Sequence, residues 1–279
     1  MSAAAYDPAI AEFLEDIYAS CNVGGRLRRD PLAVAASYAD PADRELAGLV
    51  ASTLAFGSVD LILGACRRAL EPLGPRPREK LLSLSEAGIE ETWAGFQYRY
   101  CFPKDMAGLM LAAKRAIEET GSLEAFFRLG DPGGADVTAA AGSFARRLKS
   151  LSAQRGRAAR GSPGSEGIRG NLLPEPEKGS ACKRLFLYLR WMARRDAVDP
   201  GGWSWPSPAR LVVPIDTHMA RVCSERLHFL PAPRADLKAA LAATACFRLY
   251  APEDPVKYDF ALTRPGIDPD PGDERFACP

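Results

Sequence analysis

Leu211-Val212-Val213-Pro214-Ile215-Asp216-Thr217-His218-Met219-Ala220-Arg221-Val222-Cys223 is the stretch on which the fold turns. A short apolar run stops at a proline, and an acid follows almost at once. Met219, Val222 and Cys223 then fall on one face of a helical pattern. This layout puts Asp216 at the mouth of a helix, beside buried surface. A carboxylate there caps the free N–H groups of the first turn and gains from the helix dipole. It is equally placed to face a cleft and do chemistry, so both roles stay open for Asp216.

Working outward, helix-period apolar patterns recur along the whole chain, and long β-branched alternation is absent. Asp7-Pro8 opens a helix to about Cys21. Asp40-Pro41 opens another, with Leu46, Leu49, Val50 and Leu54 as its stripe; Gly57 breaks it, and Val59 to Leu70 forms the next. Asp105 is expected to cap a helix carrying Leu109, Met110, Ala113 and Ile117, Ser122 or Glu124 to start a short one, and Asp136 to lead into one ending near Leu151. Ser180 precedes a helix from Ala181 to Ala193, Asp236 starts one to about Leu249, and Asp254-Pro255 carries the Asp-cap, Pro-first signature of a further start. The fold class is therefore all-α. Gln154 to Gly170, rich in Arg, Gly and Ser, is expected to be a flexible basic insertion, and residues 266–279 an extended tail.

With 279 residues, 47% of them hydrophobic, the chain can build a large core. Net charge is +1, so bulk charge names no partner. Distribution is more telling: from Arg146 to Arg195 basic residues far outnumber acids, which is compatible with a polyanion on one face or with a solvated linker and helix face. The seven cysteines are scattered, with no Cys-x-x-Cys pair, and the two histidines are too few for a metal site. Neither a signal peptide nor a membrane-length apolar run is present. Reduced thiols, no metal, no cofactor, no membrane and a cytoplasmic monomer are the corresponding expectations.

A second informative stretch is Leu173-Pro174-Glu175-Pro176-Glu177-Lys178-Gly179-Ser180-Ala181-Cys182-Lys183-Arg184-Leu185. Turn chemistry leads to Gly179, Ser180 can cap, and a helix follows. Free N–H groups at such a start suit a phosphate, and Lys178 and Arg184 strengthen the site. Lys183 falls in the first turn, where it is either a solvated lysine or a nucleophile.

These stretches resemble the helix-hairpin-helix DNA glycosylases, the endonuclease III-like superfamily. Pro214-Ile215-Asp216-Thr217-His218 with Arg221-Val222 is similar to the segment that carries the superfamily's catalytic Asp, and Lys183 stands where its catalytic lysine stands. The segments Leu49 to Asp60 and Gly95 to Tyr100 also resemble its lesion-contacting loop and a following helix, over roughly residues 40 to 265. The resemblance implies a two-lobed fold, with lobes of about 40–150 and about 171–265 plus the N-terminal helix. It further implies double-stranded DNA with a damaged base as partner, and Lys183 and Asp216 as catalytic residues. Lys178, Gly179, Ser180, Arg184 and Arg190 would contact DNA. Phe56, Phe96, Tyr98, Arg99, His218 and Asp259 would supply a base pocket.

Three departures matter. The superfamily's Leu-Pro-Gly-x-Gly hairpin is replaced by Pro174 to Ser180. Lys183 and Asp216 lie 33 residues apart, a spacing more like that of archaeal 8-oxoguanine glycosylases, the insert being Arg194 to Arg210 with Trp203 and Trp205. The four-cysteine iron–sulfur motif is missing. Gly179 to Leu185, Leu189 to Met192, Pro214 to His218 and Asp254 to Leu262 also resemble the hallmarks of a bacterial family of uncharacterised activity, over nearly the whole chain. The implied function is excision of a damaged base, for instance an oxidised purine, with or without strand cleavage through Lys183. The alternative is a DNA- or RNA-binding module that keeps the hairpin without catalysis.

Overall fold

The computed structural model describes residues 5–152 and 167–276. Among these residues the chain is all-helical, with two isolated bridges, Tyr98 to Cys101 and Ser180 to Asp236, and no strand. The helices are α1 Pro8–Cys21, α2 Leu32–Ala36, α3 Pro41–Leu54, α4 Val59–Leu70, α5 Pro77–Ser83, α6 Glu86–Thr92, α7 Pro103–Thr120, α8 Leu123–Leu129, α9 Thr138–Ser152, α10 Lys183–Ala193, α11 Thr217–Arg221, α12 Leu237–Phe247 and α13 Asp259–Ile267. A π-helical turn, Val222–Arg226, continues α11. No described helix is long and apolar enough to cross a membrane.

Most helix starts follow from local side-chain chemistry. Asp7, Asp40, Ser122, Asp216 and Asp236 each accept a backbone N–H from the first turn of the helix they precede. Three expected starts differ. Asp105 lies inside α7, at its third position, and reaches back to the Phe102 N–H at 2.9 Å; Pro103 sets the true start. Asp254 caps nothing, because its carboxylate is taken by Arg194 Nε at 2.9 Å; helix α13 begins at Asp259 instead. Helix α10 starts at Lys183 rather than Ala181, since Cys182 adopts a left-handed φ of 46° that breaks the helical path. Residues 154–166 of the expected basic insertion lie outside the described residues. At its end Ile168 is buried, and Arg169 pairs with Asp105 at 2.6 Å. Residues 266–276 of the expected tail finish α13 and form a turn, Asp273–Phe276, packed on Arg26 and Cys21.

Helices α3 and α10 cross at the centre. Gly48 of α3 meets α10 so closely that an added Cβ would sit 3.0 Å from Met192 and 3.4 Å from Tyr188. Phe126, Phe127 and Phe144 pack around Tyr188 and Trp203 on one side of this crossing. The Glu45 carboxylate is buried there. It accepts Leu123 N–H at 2.9 Å, Glu124 N–H at 3.0 Å and Trp203 Nε1–H at 2.9 Å, so a side chain of α3 caps α8.

The described part of the basic run is largely paired with acids of the same fold. Arg146 pairs with Glu177, Lys149 with Glu175 at 2.6 Å, and Arg190 and Arg194 are buried among carboxylates. Arg155, Arg157 and Arg160 lie outside the described residues. Arg194, 3% exposed, binds Asp196 at 2.8 Å, Asp254 at 2.9 Å, and Asp199. Burial opposes ionisation of Asp196, yet Arg194 and the N–H groups of Asp199 and Val198 hold its carboxyl down at about 2.

A carboxyl with a lowered folded-state pKa stabilises the fold above its unfolded value and loses that contribution as pH falls through the folded value. The window for Asp196 therefore runs from about pH 4 down to about pH 2. Asp196→Asn is expected to cost on the order of 2 kcal/mol at pH 7 and to flatten the fall in stability across that window. Urea unfolding at stepped pH measures both, and an unchanged slope would contradict the assignment.

Candidate active site

The chain folds so that Lys183 and Asp216 meet. Lys183 is the first residue of α10, and Asp216 is the residue before α11. Asp216 Oδ1 accepts the Met219 N–H at 2.8 Å, which is the expected cap. Its other oxygen, Oδ2, accepts from Lys183 Nζ at 2.5 Å. Both side chains are about one-third open to solvent, at 34% for Lys183 and 28% for Asp216. Burial of Asp216 resists its ionisation; the Lys183 charge and hydrogen bond, the Met219 N–H and His218 outweigh it and hold the carboxyl below its usual range.

The pair stands in the wall of a cavity of about 420 Å³. The α3–α4 loop contributes Phe56 and Gly57, and α4 contributes Ile62; α10 contributes Leu187, Arg190 and Trp191; α13 contributes Asp259, Phe260, Thr263 and Arg264. Such a volume is within the usual range for small-molecule sites, about 300–1,000 Å³. Gly57 has φ of +107°, and an added Cβ would meet Tyr98 Oη at 2.9 Å and Arg99 Nη1 at 2.8 Å, so the loop can turn there only with glycine.

Of the expected pocket residues, Phe56 and Asp259 line this cavity. Phe56 stacks on Tyr100 with ring centres 4.2 Å apart. Asp259 is buried and bonded to Arg190; burial raises its carboxyl pKa, against the pull of Arg190 and Lys183. Tyr98 supports the cavity from behind, donating to the Phe56 carbonyl. Phe96 is a core residue, and Arg99 is exposed over Gly57. His218 faces a smaller neighbouring cavity, with Phe13, Pro265 and Gly266. Burial lowers its imidazole pKa, opposed by Asp216 and reinforced by Lys183, Arg221 and Arg264.

The expected phosphate contacts divide. Lys178 and Gly179 are exposed and Ser180 half-buried, at a turn where Gly179 takes a left-handed φ of 79° and its carbonyl accepts the Leu237 N–H at 3.2 Å. Ser180 does not cap α10; its hydroxyl accepts the Cys182 N–H at 3.3 Å. Arg184 donates to the carbonyls of Thr53, at 2.8 Å, and Asn171, and its guanidinium lies over Phe56. Arg190 is not a surface contact. It is 2% exposed, and Asp199, at 3.0 Å, and Asp259 take its guanidinium. Trp203 and Trp205 pack elsewhere, donating to Glu45 and Asp131.

Asp30, Trp191 and Arg264 are cavity residues that sequence patterns did not single out. The one available signal was Arg264 within an apolar helix, Asp259-Phe260-Ala261-Leu262-Thr263-Arg264. No group of His, Cys, Asp and Glu suited to a metal ion occurs among the described residues. The six described cysteines are buried; burial pushes the Cys182 thiol up to about 11, away from nucleophilic use, and Cys278 lies outside the described residues.

The two oxygens of Asp216 separate its two roles. Asp216→Asn keeps a cap oxygen and is expected to stay within about 1 kcal/mol of the parent, whereas Asp216→Ala loses the cap and is expected to cost about 1 kcal/mol more. Urea unfolding at pH 7 decides; equal losses would mean that the charge, not the cap, sets stability.

A family described as "Protein of unknown function (DUF2400)" matches residues 30–268. No curated protein and no solved structure matches the chain. The matched span takes in every residue that lines the cavity, from Asp30 to Ile267. The chain belongs to the DUF2400 family.

Proposed function

We propose that the protein is a helix-hairpin-helix DNA glycosylase that excises a damaged base, an oxidised purine such as 8-oxoguanine being the first candidate. The observation that carries this is the Lys183–Asp216 pair, 2.5 Å apart, in the wall of an aromatic-lined cavity. Breaking an N-glycosidic bond builds positive charge on the sugar, and a fixed carboxylate beside it lowers that barrier. The depressed pKa of Asp216 suits this part, since the charged form is the stable one and any proton it accepts is held only in passing.

Lys183 serves as nucleophile. A lysine attacks as the free amine, so one proton must leave; Asp216 Oδ2 is the acceptor already bonded to it. Attack of Nζ on C1′ breaks the N-glycosidic bond, and the proton held by Asp216 passes to the departing base; a further Nζ proton moves to O4′ as the C1′–O4′ bond opens, which leaves the sugar held as a protonated Schiff base. Loss of a C2′ proton then expels the 3′ phosphate, which is the lyase step. The base must leave the duplex to enter the cavity, whose lining includes the aromatic side chains of Phe56, Trp191 and Phe260. The exposed turn at Lys178, Gly179 and Ser180 is assigned to the DNA backbone, with Arg99 over Gly57 as a further exposed cation.

Borohydride trapping on duplexes carrying an abasic site or single oxidised or alkylated bases tests the proposal. A trapped adduct is expected with the parent and absent in Lys183→Gln, and Asp216→Asn is expected to lower excision by at least about a hundredfold. Full excision by Asp216→Asn would sink the mechanism. Salt-sensitive duplex binding with neither adduct nor released base would instead mark a binding module.

A further inference from the structure

The cavity contains three cations, Lys183, Arg190 and Arg264, and three carboxylates, Asp30, Asp216 and Asp259, so its charged side chains balance. Two of the cations have no orphaned buried donor among the described atoms. Lys183 has Asp216, and Arg190 has Asp199 and Asp259. Arg264 differs. Its Nη2 pairs with Asp30 at 2.9 Å and lies near Thr263, and its guanidinium lies 4.3 Å over the Phe260 ring. Its Nε and Nη1 are buried without a hydrogen-bond partner, on a side chain only 2% exposed. Trp191, 1% exposed and on the same cavity wall, likewise has an unpartnered Nε1.

Every one of these orphan atoms is an N–H donor. Buried polar groups are normally satisfied, and each one left without a partner costs free energy that a suitable ligand returns. Hydrogen-bond acceptors are therefore what these two cavity-lining side chains lack. A phosphate dianion would supply them, but it would enter among three carboxylates in a site whose charges already balance. A neutral planar ring with carbonyl oxygens supplies acceptors without that penalty, and the aromatic carbon of Phe56 and Phe260 lines the cavity around it.

We infer that Arg264 and Trp191 form a donor set that recognises the carbonyl oxygens of an oxo-substituted nucleobase in the α10–α13 cavity. This rests on the glycosylase proposal for the reaction, and it assigns what that proposal leaves open: which edge of the base is read, and by which side chains. Specificity of this kind comes from the unpaired donors, because a ring lacking the carbonyl leaves them buried and unsatisfied.

The probes are hypoxanthine, unsubstituted purine and inorganic phosphate, titrated into the full chain by calorimetry or tryptophan fluorescence. Hypoxanthine and purine share a ring system and differ at the carbonyl. Hypoxanthine is expected to bind about tenfold or more tighter than purine, with phosphate failing to compete. The preference is expected to shrink in Arg264→Lys, which keeps a charge opposite Asp30 but loses the guanidinium donors, and in Trp191→Phe, which keeps the ring and loses Nε1. Equal affinity of the parent for the two bases, displacement by phosphate, or a full preference in both variants each overturns the inference. The parent's two affinities decide even if a variant fails to fold. A hypoxanthine preference without excision of any lesion would remove the glycosylase proposal and leave this assignment standing. Excision without the preference would do the reverse.

Discussion

Arg190 and Arg194, one turn apart on α10 and its end, share the buried carboxylate of Asp199, and the surrounding structure hangs on that arrangement. Bringing charges into a protein interior costs several kcal/mol each unless they are matched and hydrogen-bonded. Matching here recruits distant chain. Asp259 comes from the start of α13, Asp254 from the turn before it, and Asp196 from the segment after α10. Asp196 in turn receives Tyr18 and Asn22, both at 3.1 Å, from α1 and its C-cap. The last described helix, the first helix and α10 are therefore fixed relative to one another by a single polar cluster, and a shift of α13 along α10 would strand a buried charge.

That constraint makes the cavity. Its walls are α10 on one side and α13 on the other, closed by the α3–α4 loop. Arg190 and Asp259 belong to both the cluster and the cavity, so the same ion pair that docks α13 lies at the edge of the proposed reaction site. Lys183 and Asp216 are each fixed by a helix start, where backbone direction is set within one or two residues. Precision at a reactive pair comes from such rigid supports, and here the carboxylate is held twice, by a backbone N–H and by the amine.

The residues legible in sequence were those whose placement is local. Asp216 announces itself by an apolar run, a proline and a helix, and its cap forms as that pattern requires. Lys183 follows a glycine turn and lies at a helix start; Phe56 precedes the helix-breaking Gly57. The failures share one cause. Arg190 belongs to a basic run that looks like a solvated face, but its partners include Asp259, 69 positions away. Asp254 carries the signature of a cap, yet Arg194, 60 positions away, takes its carboxylate. Arg169 ends an Arg- and Gly-rich stretch and is held by Asp105, 64 positions away. Ion pairs across such separations leave no periodic trace, so side chains that local rules assign to caps and surfaces are claimed by tertiary contacts.

The distribution of satisfied and unsatisfied polar groups then separates scaffold from site. Glu45 accepts from three N–H donors, Asp199 binds two arginines, and Asp131 receives Arg210, Trp205 and the Gly133 N–H. A fold that pairs its buried charges so thoroughly has no general difficulty in finding partners. Among the buried polar atoms without a partner, those of Arg264 and Trp191 belong to residues that line the cavity holding Lys183 and Asp216. Other orphans, such as Tyr188 Oη and Thr138 Oγ1, belong to residues outside that cavity. Unsatisfied donors that gather beside a lysine–carboxylate pair and aromatic faces are the pattern expected where a fold gives up some stability to hold a ligand.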